Sequence, residues 1–223
     1  MQYPAAWLKG STLGESIASK LRLQIINREI KPGEILSENR IAADFGASRS
    51  PVREALKILA AEGLISLQRM GVHVNGLSLN NIEELYDVRF LIENFAWQRM
   101  AASDSAARIT MLNQIIDKMD LAAKHNDFVE FAYQDFCFHE YIIKETKHTR
   151  ILHLWTSISQ IVITLMLITT KKIFSQQKKH IQSVIQQHQK LLECLQFRDT
   201  AIIQARVEEY FADSRRTLQT SLL

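Results

Sequence analysis

Apolar and polar residues recur first with helical and then with strand periodicity in the stretch from Leu36 to Val74. Its first part predicts a short helix that Ser37 can cap, followed by a tight turn at Gly46. A second helix follows, with Pro51 in its first turn, where a proline is tolerated. The stretch closes with two short segments in which apolar and polar residues alternate, and these favour two strands. This order of elements predicts a winged helix-turn-helix.

Basic residues mark one face of the second helix of this stretch. Arg49, Arg53 and Lys57 recur every four residues, and Ser48 or Ser50 can cap the helix. A helix N-terminus attracts phosphate, and the arginine fork matches the major-groove edge of guanine. The pattern therefore favours DNA binding. The alternative is a solvated basic face on an ordinary small domain.

Glycine and proline divide the chain into two parts. All seven glycines and all three prolines lie between Pro4 and Gly76, and the 147 residues from Leu77 onward contain neither. A β domain of that length without such turn residues is improbable. The sequence therefore predicts a mainly α protein. We expect a winged helix-turn-helix domain with a small β-hairpin wing over 1–76 and an all-helical antiparallel bundle over 77–223.

Helical spacing of apolar residues predicts six segments in the second part, which begin near residues 80, 105, 127, 150, 175 and 199. Asn80 or Asn81 can cap the first segment and Asp199 the last. The most apolar run, Ile161 to Ile168, is too short to span a bilayer and is typical of a buried or dimer-interface helix. We expect no membrane association.

Charge and cysteine content narrow the functional class. The net charge of +3 lies entirely in residues 1–78, which hold 10 Lys+Arg and 7 Asp+Glu, because residues 79–223 hold 17 of each. This places the positive charge with the DNA-binding pattern.

Cys137 and Cys194 have no metal-type spacing, and two thiols in a chain of this length indicate a reducing cytoplasm. The N-terminus lacks the apolar core of a signal peptide.

The string FGASRSPVREALKILAAEGLI (45–65) resembles the DNA-binding domain of the GntR family of bacterial transcription regulators, as do KPGEILSE (31–38) and the wing at 69–72. The resemblance implies that Arg49 and Arg53 contact operator bases or phosphates and that Gly71 approaches the DNA closely. Further residues that it brings to the DNA lie around these arginines, on the wing and on the first of the two helices: Asn39, Arg40, Ser48, Ser50 and Arg69. The FadR subfamily often has a basic residue at the position of Asn39, which departs from that pattern.

The second part resembles the FCD ligand-binding domain of the FadR subfamily, through YDVRFLIE (86–93), Asp135-x-x-x-His139 and HQKLLECLQFRD (188–199). Asp135 and His139 are four residues apart and share one helix face, where they could bind a divalent metal or form a simple intrahelical pair. In many FCD domains two more histidines join them. His188 matches the first of these, but Tyr210 stands at the second.

The resemblance implies one divalent ion, zinc, nickel or manganese, in each protomer. Because a neutral phenol is a poor zinc ligand, two possibilities remain at Tyr210. Asp135, His139 and His188 hold the metal with water or an effector carboxylate, or the metal has been lost and the pocket binds an organic effector directly. Arg89 resembles a pocket arginine that grips an effector carboxylate, and the alternative is an ordinary i,i+4 pair with Glu93.

These features predict a cytoplasmic, homodimeric transcription regulator that binds a palindromic DNA operator and responds to a small-molecule effector, a carboxylate. A metal-dependent enzyme in a helical bundle is one alternative, but the chain lacks paired Glu-x-x-His motifs and a nucleophile–base–orienter set. We therefore expect no enzyme. A sensor module that works through protein contacts rather than DNA is the other alternative.

Overall fold

The computed structural model describes residues 1–69, 71–101, 106–176, 178–197 and 199–222. The chain divides into two compact units, Met1–Ile82 and Glu83–Leu223. Helices dominate both units, and a small antiparallel sheet lies in the first. The mainly α fold class predicted from the sequence is therefore confirmed.

The first unit begins with a short 3₁₀ helix at Ala5–Leu8, and its other elements follow in chain order: α1 (Leu13–Ile26), β1 (Ile35–Leu36), α2 (Glu38–Asp44), α3 (Arg49–Ala61), β2 (Ile65–Gln68) and β3 (Gly71–Val74). Ser37 caps α2 as predicted, because its hydroxyl accepts a hydrogen bond from the Arg40 amide at 3.1 Å. Gly46 makes the turn between α2 and α3 with a φ of +58°, which glycine adopts without steric cost.

Three strands form the sheet, in the order β1-β3-β2. β2 and β3 are the predicted wing hairpin, with Leu67 opposite Val72. β1 was not predicted from the sequence, and its Leu36 also pairs with Val72. α3 packs on α1, and its apolar face is fully buried at Val52 and Leu59.

The second unit is helical throughout its described part, and its elements are α4 (Leu79–Ala101, which begins just before the division between the units), α5 (Ala106–Lys124), α6 (Phe128–Glu145), α7 (Thr149–Gln176), α8 (Lys178–Cys194), a 3₁₀ turn (Leu195–Phe197) and α9 (Thr200–Leu222). α6 packs between α5 and α7, and α8 packs on α5, α7 and α9. This arrangement brings α6, α8 and α9 around one interior region.

Of the two helix caps predicted in the second unit, the cap of α9 is confirmed and the cap of α4 is not. Asp199 caps α9 as expected, because its carboxylate accepts a hydrogen bond from the Ala201 amide at 2.8 Å. The prediction of Asn80 or Asn81 as the cap of α4 is wrong. Ser78 takes that place, with its hydroxyl accepting from the Asn81 amide, while the Asn81 side chain accepts from the Ser78 amide.

α7 is longer than the sequence predicted. It runs for 28 residues, and by length and composition alone it could cross a membrane, with a mean hydropathy of 1.8 over its most apolar window. Half of that window is buried within the structure. Trp155, Val162 and Leu167 are each no more than 2% exposed, so α7 supplies core side chains to the bundle. A buried core helix of a soluble protein has the same composition.

A buried metal-type cluster, an effector cavity and a basic helix

Three of the predicted site residues converge inside the helical unit. Asp135 and His139 lie on one face of α6, and His188 reaches them from α8. The Asp135 Oδ1 atom lies 3.0 Å from His188 Nε2 and 3.4 Å from His139 Nε2. All three side chains are buried. The structure thus brings together residues that are 53 positions apart in the chain.

The outer nitrogen of each imidazole has a hydrogen-bond acceptor. His139 Nδ1 lies 2.5 Å from Glu93 Oε2, and His188 Nδ1 lies 2.8 Å from the Val184 carbonyl oxygen. Because a carboxylate and a carbonyl only accept, each Nδ1 carries a hydrogen and each Nε2 faces inward towards Asp135. Metal-binding histidines are held in this way in proteins.

The donor set fits a metal ion. Ligands about 2.1 Å from a tetrahedral ion lie about 3.4 Å apart, and the two measured separations around Asp135 Oδ1, 3.0 and 3.4 Å, are close to that value. Two imidazoles and a carboxylate suit zinc, nickel or manganese. The residues that could hold the ion are therefore Asp135, His139 and His188.

Tyr210 lies directly against this cluster. Its Oη atom is 2.8 Å from His139 Nε2 and 3.5 Å from His188 Nε2. Because Nδ1 of His139 already carries a hydrogen, the protonation state of this ring decides whether Nε2 donates to or accepts from the Tyr210 hydroxyl. Burial raises the pKa of Tyr210 well above its ordinary value, and the negative charge of Asp135 adds to this effect. Without a metal ion the phenol is therefore protonated.

Burial and charge pairing compete at the acidic groups. Burial opposes ionisation of Asp135, but hydrogen bonds from His139 and His188 outweigh it, so the pKa of Asp135 lies below its ordinary value. Burial likewise opposes ionisation of Glu93, and the positive charge of Arg89 reverses that effect, so the pKa of Glu93 is also lowered. Both carboxyl groups are ionised at neutral pH.

Arg89 makes the ordinary i,i+4 pair with Glu93 that the sequence left open as one alternative. Its Nε lies 2.6 Å from Glu93 Oε1. The guanidinium also packs over the rings of Tyr86 and Phe211, at 5.4 and 5.3 Å from their centroids. Arg89 is 1% exposed, yet its Nη2 has no hydrogen-bond partner among the residues that the structure describes. A buried guanidinium nitrogen left in this state is an available donor for an anion.

A cavity of about 480 Å³ opens beside the cluster, and Arg89, Asp135 and Tyr210 form part of its wall. This volume is within the usual range for small-molecule sites. The rest of the wall is rich in hydroxyl and amide side chains from α7, α8 and α9: Thr169, Thr170, Gln176, Ser183, Gln187, Ser214 and Thr217. Among the described residues, Arg89 Nη2 is an unsatisfied cationic donor in this wall, which also carries many neutral hydrogen-bonding groups and the charged side chains of Asp213 and Arg216.

Glu93 was predicted only as a partner for Arg89, and its contact with His139 was not predicted. The string YDVRFLIE contains both Arg89 and Glu93, one helical turn apart, so the signal for a shared role was present. The contact between Glu93 and His139 spans 46 residues and could not be derived from local spacing.

The predicted DNA-contacting residues of α3 are on the surface of the first unit. Ser48, Arg49, Ser50 and Arg53 are all exposed at the start of the helix. Ser48 is the N-cap residue, but its side chain makes no capping hydrogen bond to the described backbone. The first-turn amides of α3 therefore lack a side-chain acceptor from Ser48, which leaves amide donors available to a phosphate.

The residues expected from α2 are also exposed, and in the wing Arg69 is exposed whereas Gly71 is half-buried. Asn39 and Arg40 lie on α2, where Arg40 makes a loose pair with Asp44 at 3.8 Å. Arg69 is exposed at the end of β2, and residue 70, which the wing resemblance includes, lies outside the described residues. Gly71 has a φ of +136°, and a Cβ there would meet Ile35 Cγ2 at 2.9 Å. The fold itself thus requires glycine at this position.

Comparison with known proteins gives consistent matches. Residues 13–74 match the bacterial regulatory proteins of the gntR family, and residues 84–213 match the FCD domain. The gluconate operon transcriptional repressor of Bacillus subtilis is 36% identical over 211 residues, which cover 95% of this chain and 87% of that protein. Its counterpart from Bacillus licheniformis is 35% identical with the same coverage. The solved structure of E. coli McbR/YncC is 18% identical and has a TM-score of 0.71 over 94% of this chain and 98% of that one, which is a likeness of fold.

Proposed function

Because the chain belongs to the GntR family of DNA-binding transcriptional regulators and carries an FCD effector-binding domain, we propose that it is a cytoplasmic, homodimeric repressor released from its operator by a sugar-acid carboxylate. The family and the relatives are regulators and not enzymes. The observation that carries the effector part of the proposal is the unpaired Arg89 Nη2 at the wall of a hydroxyl- and amide-rich cavity.

DNA recognition is assigned to the exposed start of α3. Arg49 and Arg53 extend from its first two turns, and the first-turn amides that Ser48 does not cap, those of Arg49 and Ser50, provide a phosphate site. Arg53 forms an ion pair with Glu38 of α2 at 2.9 Å, which fixes the direction of its guanidinium. Asn39 and Arg40 on α2 and Arg69 on the wing are assigned to flanking contacts with the DNA backbone.

Dimerisation is assigned to an apolar stripe on α4. Val88, Leu91 and Phe95 follow one another at three- and four-residue steps and are 40%, 66% and 37% exposed. An exposed stripe of this kind on a helix of a soluble domain marks a protein interface. A two-fold dimer places two α3 helices on the half-sites of a palindrome.

The effector class follows from the chemistry of the cavity wall. The guanidinium of Arg89 binds a carboxylate, and the hydroxyl and amide groups of the wall match the hydroxyls of a sugar acid. The two Bacillus relatives are named for the gluconate operon, which makes gluconate the first compound to test. When a metal is bound at Asp135, His139 and His188, it supplies a Lewis acid that can coordinate the effector carboxylate.

Calorimetric titration tests the effector assignment. The metal-loaded protein should bind gluconate and not glucose, which has the same carbon chain and hydroxyl-rich character but no carboxylate. Equal binding of both sugars, or of neither, would contradict the proposed sugar-acid effector. The measurement does not involve DNA, so a failure would leave the operator-binding part of the proposal standing.

A further inference from the structure

Tyr210 Oη contacts both imidazole nitrogens of the buried cluster formed by Asp135, His139 and His188. The Tyr210 Oη atom lies 2.8 Å from His139 Nε2 and 3.5 Å from His188 Nε2. The Asp135 Oδ1 atom lies 3.4 Å and 3.0 Å from the same two nitrogens. Two of these separations, 3.4 and 3.5 Å, match the spacing of about 3.4 Å between ligands of a tetrahedral ion, and the other two, 2.8 and 3.0 Å, are shorter. Tyr210 Oη is therefore close enough to both imidazole nitrogens to bind the same ion.

From this geometry we propose that Tyr210 is a metal ligand, bound through its phenolate oxygen, and that it biases the site towards hard ions such as ferric iron and away from zinc. On binding, the Tyr210 O–H bond breaks, its proton passes to solvent, and an iron–oxygen bond forms. Iron stays ferric, so the step needs no oxidant or reductant.

The charge and hardness of the ligands support this preference. Asp135 and the Tyr210 phenolate together provide two negative oxygen ligands, and the two imidazoles are neutral. Hard, highly charged ions favour anionic oxygen ligands, and tyrosine is a known protein ligand of iron in haem sites. Zinc is bound mainly by nitrogen, sulfur and carboxylate ligands and gains little from a phenol.

The surroundings of Tyr210 leave its hydroxyl group free for this role. Within the described part of the chain, its oxygen hydrogen-bonds only to the two imidazole rings of the cluster. Since Tyr210 already faces the ligand atoms, binding needs no change of rotamer. Asp135 and Tyr210 also line the cavity, so coordination positions beyond the four protein ligands are open to the effector.

The inference deepens the metal part of the proposed function, and it is tested without DNA. Full-length protein without a histidine tag is stripped of metal and titrated with ferric nitrilotriacetate and, separately, with zinc sulfate. Elemental analysis measures the bound metal, and visible absorption detects charge transfer from phenolate to ferric ion. We expect one ferric ion per protomer and a visible band.

Variants assign the band to a residue. Tyr210→Phe should lose the band and bind ferric ion about tenfold or more weakly, while its zinc affinity stays near that of the wild type. Tyr86→Phe removes another buried phenol that lines the same cavity and should keep the band. Tyr210→His should gain zinc affinity and show no band.

Several results would overturn the proposal: no ferric binding, ferric binding without a visible band, or a band that persists in Tyr210→Phe. If Tyr210→Phe does not fold, resonance Raman spectroscopy of the wild-type iron protein tests whether a tyrosinate is bound to the iron. If it is, excitation in the visible band must enhance tyrosinate vibrations. Operator binding by the wild-type protein is measured in parallel, and its loss would count against the proposed function and not against this ligand.

Discussion

The Oε2 atom of Glu93 lies 2.5 Å from Nδ1 of His139, and the Oε1 atom of the same carboxylate lies 2.6 Å from Nε of Arg89. One buried side chain therefore orients both a candidate metal ligand and the candidate effector-binding arginine. Such a contact fixes the histidine ring and its tautomer. It also gives metal binding and effector binding a common structural element.

Glu93→Gln should weaken zinc binding by about 10- to 100-fold, because the amide no longer holds His139 Nδ1–H through a charged acceptor. A competition titration against a chromophoric chelator measures this change. Glu209→Gln, which alters an exposed carboxylate on α9, is the control. Since the variant leaves the Arg89 charge without its partner, the thermal unfolding midpoint is recorded as well. Unchanged zinc affinity in a folded Glu93→Gln protein would show that Glu93 does not position the metal ligand.

Arg89→Lys should reduce gluconate affinity by about tenfold or more. The lysine keeps a positive charge beside Glu93, but it lacks the Nη2 donor that faces the effector, and hydrogen bonds to charged groups contribute about 1.5–3 kcal/mol. Calorimetric titration provides the affinity. Arg206→Lys on the exposed side of α9 should bind gluconate like the wild type. If both variants bind equally well, the carboxylate is held elsewhere.

Arg49→Ala should weaken specific operator binding by about 1–3 kcal/mol if Arg49 contacts a base. If it contacts only a phosphate, affinity should fall for all sequences alike, with a smaller dependence on salt. Fluorescence anisotropy with selected operator DNA and with random DNA, over a salt series, separates the two cases. Arg206→Ala serves as the control, and an Arg49→Ala protein with wild-type affinity for both DNAs would exclude Arg49 from the interface.

Leu91→Lys should convert the proposed dimer to a monomer, because it places a charge in the middle of the apolar stripe on α4. Light scattering coupled to size-exclusion chromatography gives the molar mass. Leu121→Lys on α5 is the matched control, since Leu121 is 56% exposed and lies outside that stripe. A dimeric Leu91→Lys protein would place the dimer interface elsewhere on the chain.

Local signals were sufficient for much of the fold. Gly46 and Ser37 mark the turn and the cap of the helix-turn-helix because each works through its own backbone or its nearest neighbours. β1 has only two residues, so it shows no periodicity that a sequence could reveal. The cap of α4 was misplaced because Ser78, Asn80 and Asn81 are all suitable cap residues, and only the helix geometry selects Ser78.

The candidate site depended more on tertiary structure. The spacing of Asp135 and His139 places them on one helix face, but the approach of His188 was expected only from a family resemblance. Tyr210 and His139 are 71 positions apart in the chain. The sequence could therefore show that Tyr210 replaces a histidine, but it could not show that the Tyr210 hydroxyl contacts the cluster. The packing of α6, α8 and α9 brings Tyr210 into contact with His139 and His188.

The most direct test of the central claim is the affinity of the metal-loaded protein for its selected operator, measured by fluorescence anisotropy with and without saturating gluconate. If the cavity beside Arg89 is the effector site of a repressor, gluconate should reduce operator affinity by about 5- to 150-fold, which is the usual range of allosteric coupling, and glucose should have no effect. Operator affinity that is the same with gluconate, with glucose and without either would contradict the account.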